Sequence, residues 1–132
     1  MKWLKVFAAF ALLHAGAWVG THLWLEANPK TVLIVADTSF SAKDDFPAMR
    51  RWIDDYASST RYTRIVVGTD KALIGPLDEL RSSESIFRTA FGRSGAESLK
   101  RYVAVDADTR ILLSDGSFEA PGWDEVVFDG SP

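Results

Sequence analysis

Asp37, Ser39 and Ser41 stand at alternate positions in the run Asp37-Thr38-Ser39-Phe40-Ser41, and a later Asp115-Gly116 pair supplies a second carboxylate. In extended chain that spacing points one carboxylate and two hydroxyls toward the same side. Two carboxylates with hydroxyls and water make a hard oxygen donor set. Such a set suits Mg²⁺, with Ca²⁺ and Mn²⁺ as alternatives. An ion held this way can keep one coordination position for a carboxylate from a partner protein. The same residues also suit a plain structural role. Asp37, Ser39 and Ser41 would then cap the following helix, and Asp115-Gly116 would form a hairpin turn.

The flanking elements must place these groups. Thr31 to Ala36 (TVLIVA) is almost continuously apolar and β-branched, as in a central parallel strand covered on both faces. Asp37 follows at its end. Residues 43–58 read as a helix, with Phe46, Met49, Ile53, Tyr56 and Ala57 recurring at three and four. Asp44 and Asp45 fall in its first turn, and Pro47 near its start is tolerated there. Arg64 to Gly68 is a second strand, and Lys71 to Gly75 a short third one ended by Gly75-Pro76. Leu77 to Arg88 reads as helical, Gly92 to Gly95 breaks it, and Ala96 to Tyr102 is a further helical piece. Thr109 to Leu113 is a strand closed by Ser114-Asp115-Gly116, at the same edge as Asp37. Trp123 to Phe128 forms a final edge strand, and the tail 129–132 is loose. The alternation predicts an α/β fold, a small open and mostly parallel sheet with flanking helices. Ligands of such sheets bind at the carboxyl edge of the strands.

The strand TVLIVA followed by Asp37-x-Ser39-x-Ser41 resembles the opening of a von Willebrand factor A domain. The stretch RIVVGTDKALIGPL resembles that family's second and third strands, and TRILLSDG its fourth. The resemblance covers roughly residues 31–118. It implies a metal-ion-dependent adhesion site, in which the ion bridges to a partner's carboxylate and nothing is hydrolysed. The family also supplies a threonine from a Gly-rich loop. The matching stretch Gly92-Arg93-Ser94-Gly95 offers Ser94 instead, with Thr89 a nearby alternative, and Ser114 replaces the threonine before the aspartate. The implied metal ligands are therefore Asp37, Ser39, Ser41, Ser94 and Asp115. The sequence stops soon after the fourth strand, where the family adds further strand and helix pairs. A sheet truncated in this way has an exposed edge that a partner subunit, or Trp123 to Phe128, would cover.

Ahead of this domain, residues 6–25 (VFAAFALLHAGAWVGTHLWL) carry no formal charge. At ~1.5 Å per residue they reach roughly 30 Å, the thickness of the hydrocarbon layer. Trp3 and Trp24 lie at its two ends, where amphipathic rings favour the interface. Asn28-Pro29 stops the helix. We expect a transmembrane anchor over 1–28 and a soluble domain over 29–132. A cleaved signal peptide, cut near Ala15-Gly16-Ala17, is the competing reading, but the apolar run continues past that point to Leu25. Lys2 and Lys5 favour a cytoplasmic N-terminus. The expected location is thus a bacterial inner membrane, with the C-terminal domain periplasmic. Ala9, Gly16 and Gly20 form a small-residue face on which another helix could pack. His14, near mid-span, could ligate a haem- or chlorin-type metal or bond to a neighbouring helix, and His22 falls at the interface.

Composition narrows the functions. From Glu26 onward there are 13 basic and 18 acidic residues, a net charge of −5, which disfavours a nucleic-acid phosphate backbone as partner. Absence of cysteine excludes disulfides, thiolate metal sites and a cysteine nucleophile. No P-loop, GxSxG or HExxH is present. The leading expectation is a membrane-anchored module that grips another membrane or extracytoplasmic protein through its metal site. The second is an accessory subunit of a larger membrane complex, docked by its helix, with a vestigial metal site. A metal-dependent phosphohydrolase ranks third, for want of a general base, and the expectation is a protein that is not an enzyme.

Overall fold

The computed structural model describes residues 1–130; the expectation of a loose tail at 131 and 132 lies outside the described residues. The first helix, α1, spans Lys2–Ala27. It is long and apolar enough to cross a membrane, with mean hydropathy 1.4, and none of its described residues is buried. Asn28 ends it: its backbone N–H and its side-chain Nδ2 both donate to the Trp24 carbonyl, at 3.0 and 2.9 Å.

Five strands follow: β1 (Lys30–Ala36), β2 (Thr63–Thr69), β3 (Leu73–Pro76), β4 (Thr109–Ser114) and β5 (Asp124–Val127). They make one α/β sheet in the order β3-β2-β1-β4-β5. β1, β2, β4 and β5 run parallel, and β3 is antiparallel at one edge. β1 is central because its side chains are apolar on both sides. Val32, Ile34 and Ala36 join Met49 and Ile53 of α2 (Phe46–Ser59) and Ile86 in one core. Leu33 and Val35 join Leu112, Leu99 and Tyr102 in the other. Layers on both faces are what a buried parallel sheet requires.

The structure departs from the expected elements in two places. The stretch 77–88 is not one helix but two short 3₁₀ turns, Leu77–Glu79 and Ser83–Ile86. The Ser82 side chain accepts the Glu84 N–H at 3.2 Å and opens the second turn afresh, a bond that competes with helix continuation. Asp115-Gly116 is not a hairpin turn, because β4 and β5 are parallel. Gly116 (φ +77°) instead begins a crossover, and a Cβ there would press on Val127 at 2.9 Å. β5 covers the free edge of β4, as expected of Trp123 to Phe128.

α1 meets the domain at Tyr62. This residue sits in the left-handed region (φ +54°), where a non-glycine is uncommon. Its carbonyl accepts the Lys30 N–H at 2.9 Å, and its hydroxyl is hydrogen-bonded to His22 Nδ1. α1 therefore abuts the amino-terminal rim of the sheet. The carboxyl rim lies one strand length further out, roughly 23 Å for seven residues at ~3.3 Å each.

Candidate functional site

β1 and β4 are neighbours, yet the chain leaves β1 toward β2 on one side and reaches β5 on the other. The crevice beyond their carboxyl ends is the place where open sheets bind ligands. Asp37 and Asp115 are the first residues past these two strands. The Asp37 N–H continues the ladder by donating to the Leu113 carbonyl at 2.8 Å, so the two strand ends stay side by side.

Asp37 has no exposed surface. Its Oδ1 accepts the Ser39 N–H at 2.8 Å, while its Oδ2 is buried without a hydrogen-bond partner. Burial raises its pKa above the usual carboxylate range, against the hydrogen bonds of Ser39, and the charges of Asp115 and Asp70 push it the same way. At half-buried Asp115 desolvation acts upward, but hydrogen bonds from the Ser117 and Ser41 side chains and the Ser117 N–H outweigh it and lower the pKa. The Ser39 and Ser41 hydroxyls lie 3.0 Å apart. Asp37, Ser39, Ser41 and Asp115 thus share one corner of the rim. None of the three loop residues caps a helix: the caps of the next turn and of α2 are Ala42 and Asp45, without side-chain bonds.

Ser94 is half-buried in the adjoining loop, and its hydroxyl makes no hydrogen bond to these four residues. Thr89 is exposed and accepts the Lys71 Nζ at 3.1 Å instead. Ser114 is fully buried and donates to Glu125 Oε1 at 2.6 Å, away from an ion-ligating role. Ala9, Gly16 and Gly20 lie exposed on α1, and a Cβ at either glycine would meet nothing within 4 Å. His14 Nδ1 is 3.3 Å from the Phe10 carbonyl of its own helix, and its ring packs on Phe10.

Asp70 is the residue that the sequence reading passed over. It follows β2 as Asp115 follows β4, and the same strand-end signal would have found it. Asp70 is 3% exposed. Its Oδ1 takes both the N–H (3.0 Å) and the hydroxyl of Thr38, and its Oδ2 is buried and unpaired. Gly92 lies directly over that carboxylate; a Cβ there would come within 1.6 Å of Oδ2. The Gly92 N–H donates to the Thr38 carbonyl at 3.1 Å, and Gly92 pairs with Ser39 in an isolated parallel bridge. Asp70 therefore clamps the backbone of the Asp37–Ser41 loop.

Among the described residues no three His, Cys, Asp or Glu side chains are gathered into a metal-binding group. Any ion here would depend on two carboxylates and on hydroxyls, the donors of a hard cation. The orphaned Oδ2 of Asp37 fits that demand, since a buried carboxylate oxygen without a partner is costly. At this corner Ser41 is exposed, Ser39 and Asp115 are half-buried, and Asp37 is enclosed. Two grooves of about 530 and 540 Å³ lie at the opposite rim, next to α1, lined by residues such as Pro29, Ile65 and Leu77 or Trp24, Tyr62 and Asp108. Compared with models of protein families, with curated proteins and with solved structures, the chain has no match.

Proposed function

We propose that the chain is a membrane-anchored interaction module resembling von Willebrand factor A domains. Its rim holds Mg²⁺, or Ca²⁺ or Mn²⁺, and the ion grips a carboxylate of another extracytoplasmic protein. Asp37 and Asp115 supply the charge, with Ser39 and Ser41 as hydroxyl donors and Ser94 brought in when its loop closes. The observation that carries this reading is the buried, unpartnered Oδ2 of Asp37 at the carboxyl end of β1, beside Asp115. The exposed Ser41 and half-buried Ser39 and Asp115 leave the corner within reach of a protruding side chain, and among the described residues no general base stands beside it, so binding is favoured over catalysis. α1 spans a bacterial inner membrane in this reading, with its N-terminus cytoplasmic and the domain periplasmic.

The test is thermal unfolding of the 132-residue chain in detergent with Mg²⁺ or Mn²⁺ at millimolar level. At an ion concentration tenfold above Kd the gain is about 1.4 kcal/mol. No shift with either ion removes the metal site.

A second reading is favoured by α1, none of whose described residues is buried. There the Ala9, Gly16 and Gly20 face docks the chain into a larger membrane complex and the metal corner is vestigial. Gly16→Leu with Gly20→Leu separates the two. Loss of native partners with these changes, but not with Asp37→Ala and Ser39→Ala, supports docking by the helix.

A further inference from the structure

We propose that Phe40 and Phe91 form an aromatic platform beside the cation corner. It recognises an apolar side chain adjacent to the acidic residue of a partner protein. The inference rests on the cation reading and adds the partner's chemistry to it.

Phe40 lies between Ser39 and Ser41 and is 66% exposed. The Ser39–Gly92 bridge brings Phe91, 49% exposed, alongside it. The two rings meet edge to face at 5.1 Å. Behind them Phe46 stands 6.5 Å from Phe91 and 5.0 Å from Phe87, and both Phe46 and Phe87 pack on the core. The exposed pair is thus mounted on a fixed stack and not carried on a free loop. Large exposed aromatics next to a site mark an interaction surface. Lys43 Nζ sits 5.7 Å from the Phe40 ring centre and adds a positive charge at this edge.

The surroundings select the occupant. A bound cation and Lys43 call for an anion, and the two rings call for apolar surface within a side chain's reach of it. An acidic segment bearing a leucine, or a similar apolar residue, beside its aspartate satisfies both. A lipid surface does not, because this rim is the one turned away from the anchor.

The experiment uses the 132-residue chain in lipid nanodiscs with saturating Mn²⁺. Two fluorescent tetrapeptides serve as probes, glycine-leucine-aspartate-glycine and glycine-serine-aspartate-glycine. Burial of the leucine against both rings is expected to favour the first by about tenfold. Phe40→Ala with Phe91→Ala should abolish the preference and leave Mn²⁺ uptake, read by electron paramagnetic resonance, unchanged. Equal affinities, or no peptide binding, in a chain that takes up Mn²⁺ overturns the platform and spares the cation corner. No Mn²⁺ uptake overturns the cation reading and the platform together. Concentration-dependent pairing of the chain that the phenylalanine changes abolish, without peptide preference, assigns the rings to a second copy and also overturns the proposal.

Discussion

Replacing Asp37 with asparagine removes a charge and almost nothing else. The side chain is fully buried, Oδ1 accepts the Ser39 N–H at 2.8 Å, and asparagine can keep that bond. The other oxygen has no partner, and the charges of Asp115 and Asp70 bear on it. A buried charged group left unpaired costs about 1–3 kcal/mol or more, and a neutral amide at the same point costs less. Without divalent ions Asp37→Asn should therefore stabilise the domain by roughly 1–2 kcal/mol, or about 4–16 °C in Tm. With Mg²⁺ the order should reverse, since only the wild type gains from the ion. The pH dependence has a definite sign. The raised pKa of Asp37 means that the folded chain keeps a proton the unfolded chain has lost, in the window just above pH 3.8. Metal-free stability due to Asp37 then falls as pH rises through that window. The lowered pKa of Asp115 acts the opposite way, contributing stability that is lost as pH falls, so the difference between wild type and variant isolates Asp37. Differential scanning calorimetry in EDTA and in Mg²⁺ reads both effects. A variant that melts at or below wild type in EDTA, with both gaining equally from Mg²⁺, would refute the reasoning and leave Asp37 an ordinary loop residue.

Other consequences are simpler. Gly92→Ala places a methyl 1.6 Å from Asp70 Oδ2, so the clamp on the Asp37–Ser41 loop must shift. A loss of roughly 1–3 kcal/mol by chemical denaturation is expected, together with the loss of any Mg²⁺ response. The Tyr102 phenol donates to the Thr69 carbonyl, and burial pushes its pKa up to about 12. Folded Tyr102 thus stays protonated while unfolded chain ionises, and stability should fall as pH rises from 10 toward 12. Tyr102→Phe should flatten that limb and cost about 1 kcal/mol at neutral pH. Gly16→Leu and Gly20→Leu meet open space and should leave domain melting unchanged within about 0.5 kcal/mol.

What the sequence revealed and what it hid divide along contact range. β1 was legible because a nearly continuous apolar run rich in β-branched residues suits a strand buried on both faces. The Asp37-x-Ser39-x-Ser41 loop was legible because its members are neighbours in the chain. The helical reading of 77–88 failed because Leu77, Leu80, Ile86 and Phe87 keep helical spacing, whereas Ser82 reopens the backbone locally. Asp70 carried the same strand-end signal as Asp115 and was passed over, whereas Phe91 was hidden because the long-range Ser39–Gly92 bridge brings it to the loop. The Ser94 hydroxyl was expected at the corner because Gly92-Arg93-Ser94-Gly95 resembles the Gly-rich loop of the von Willebrand factor A family, and the conformation of such a loop is not fixed by strand order.

The two ends of this molecule are separable in physical terms. β1 begins two residues past Asn28, and its parallel neighbours β2, β4 and β5 point the same way. The His22–Tyr62 bond marks the rim next to α1, and Asp37 with Asp115 marks the far one. A strand of seven residues sets them roughly 23 Å apart, beyond the ~10 Å within which substitutions usually couple. Gly16→Leu combined with Asp37→Asn should therefore be additive in stability to within about 0.5 kcal/mol. Coupling well above that would mean that the helix face and the Asp37–Asp115 corner report to one another through the sheet. Additivity would show that α1 and the Asp37–Asp115 corner contribute to stability independently.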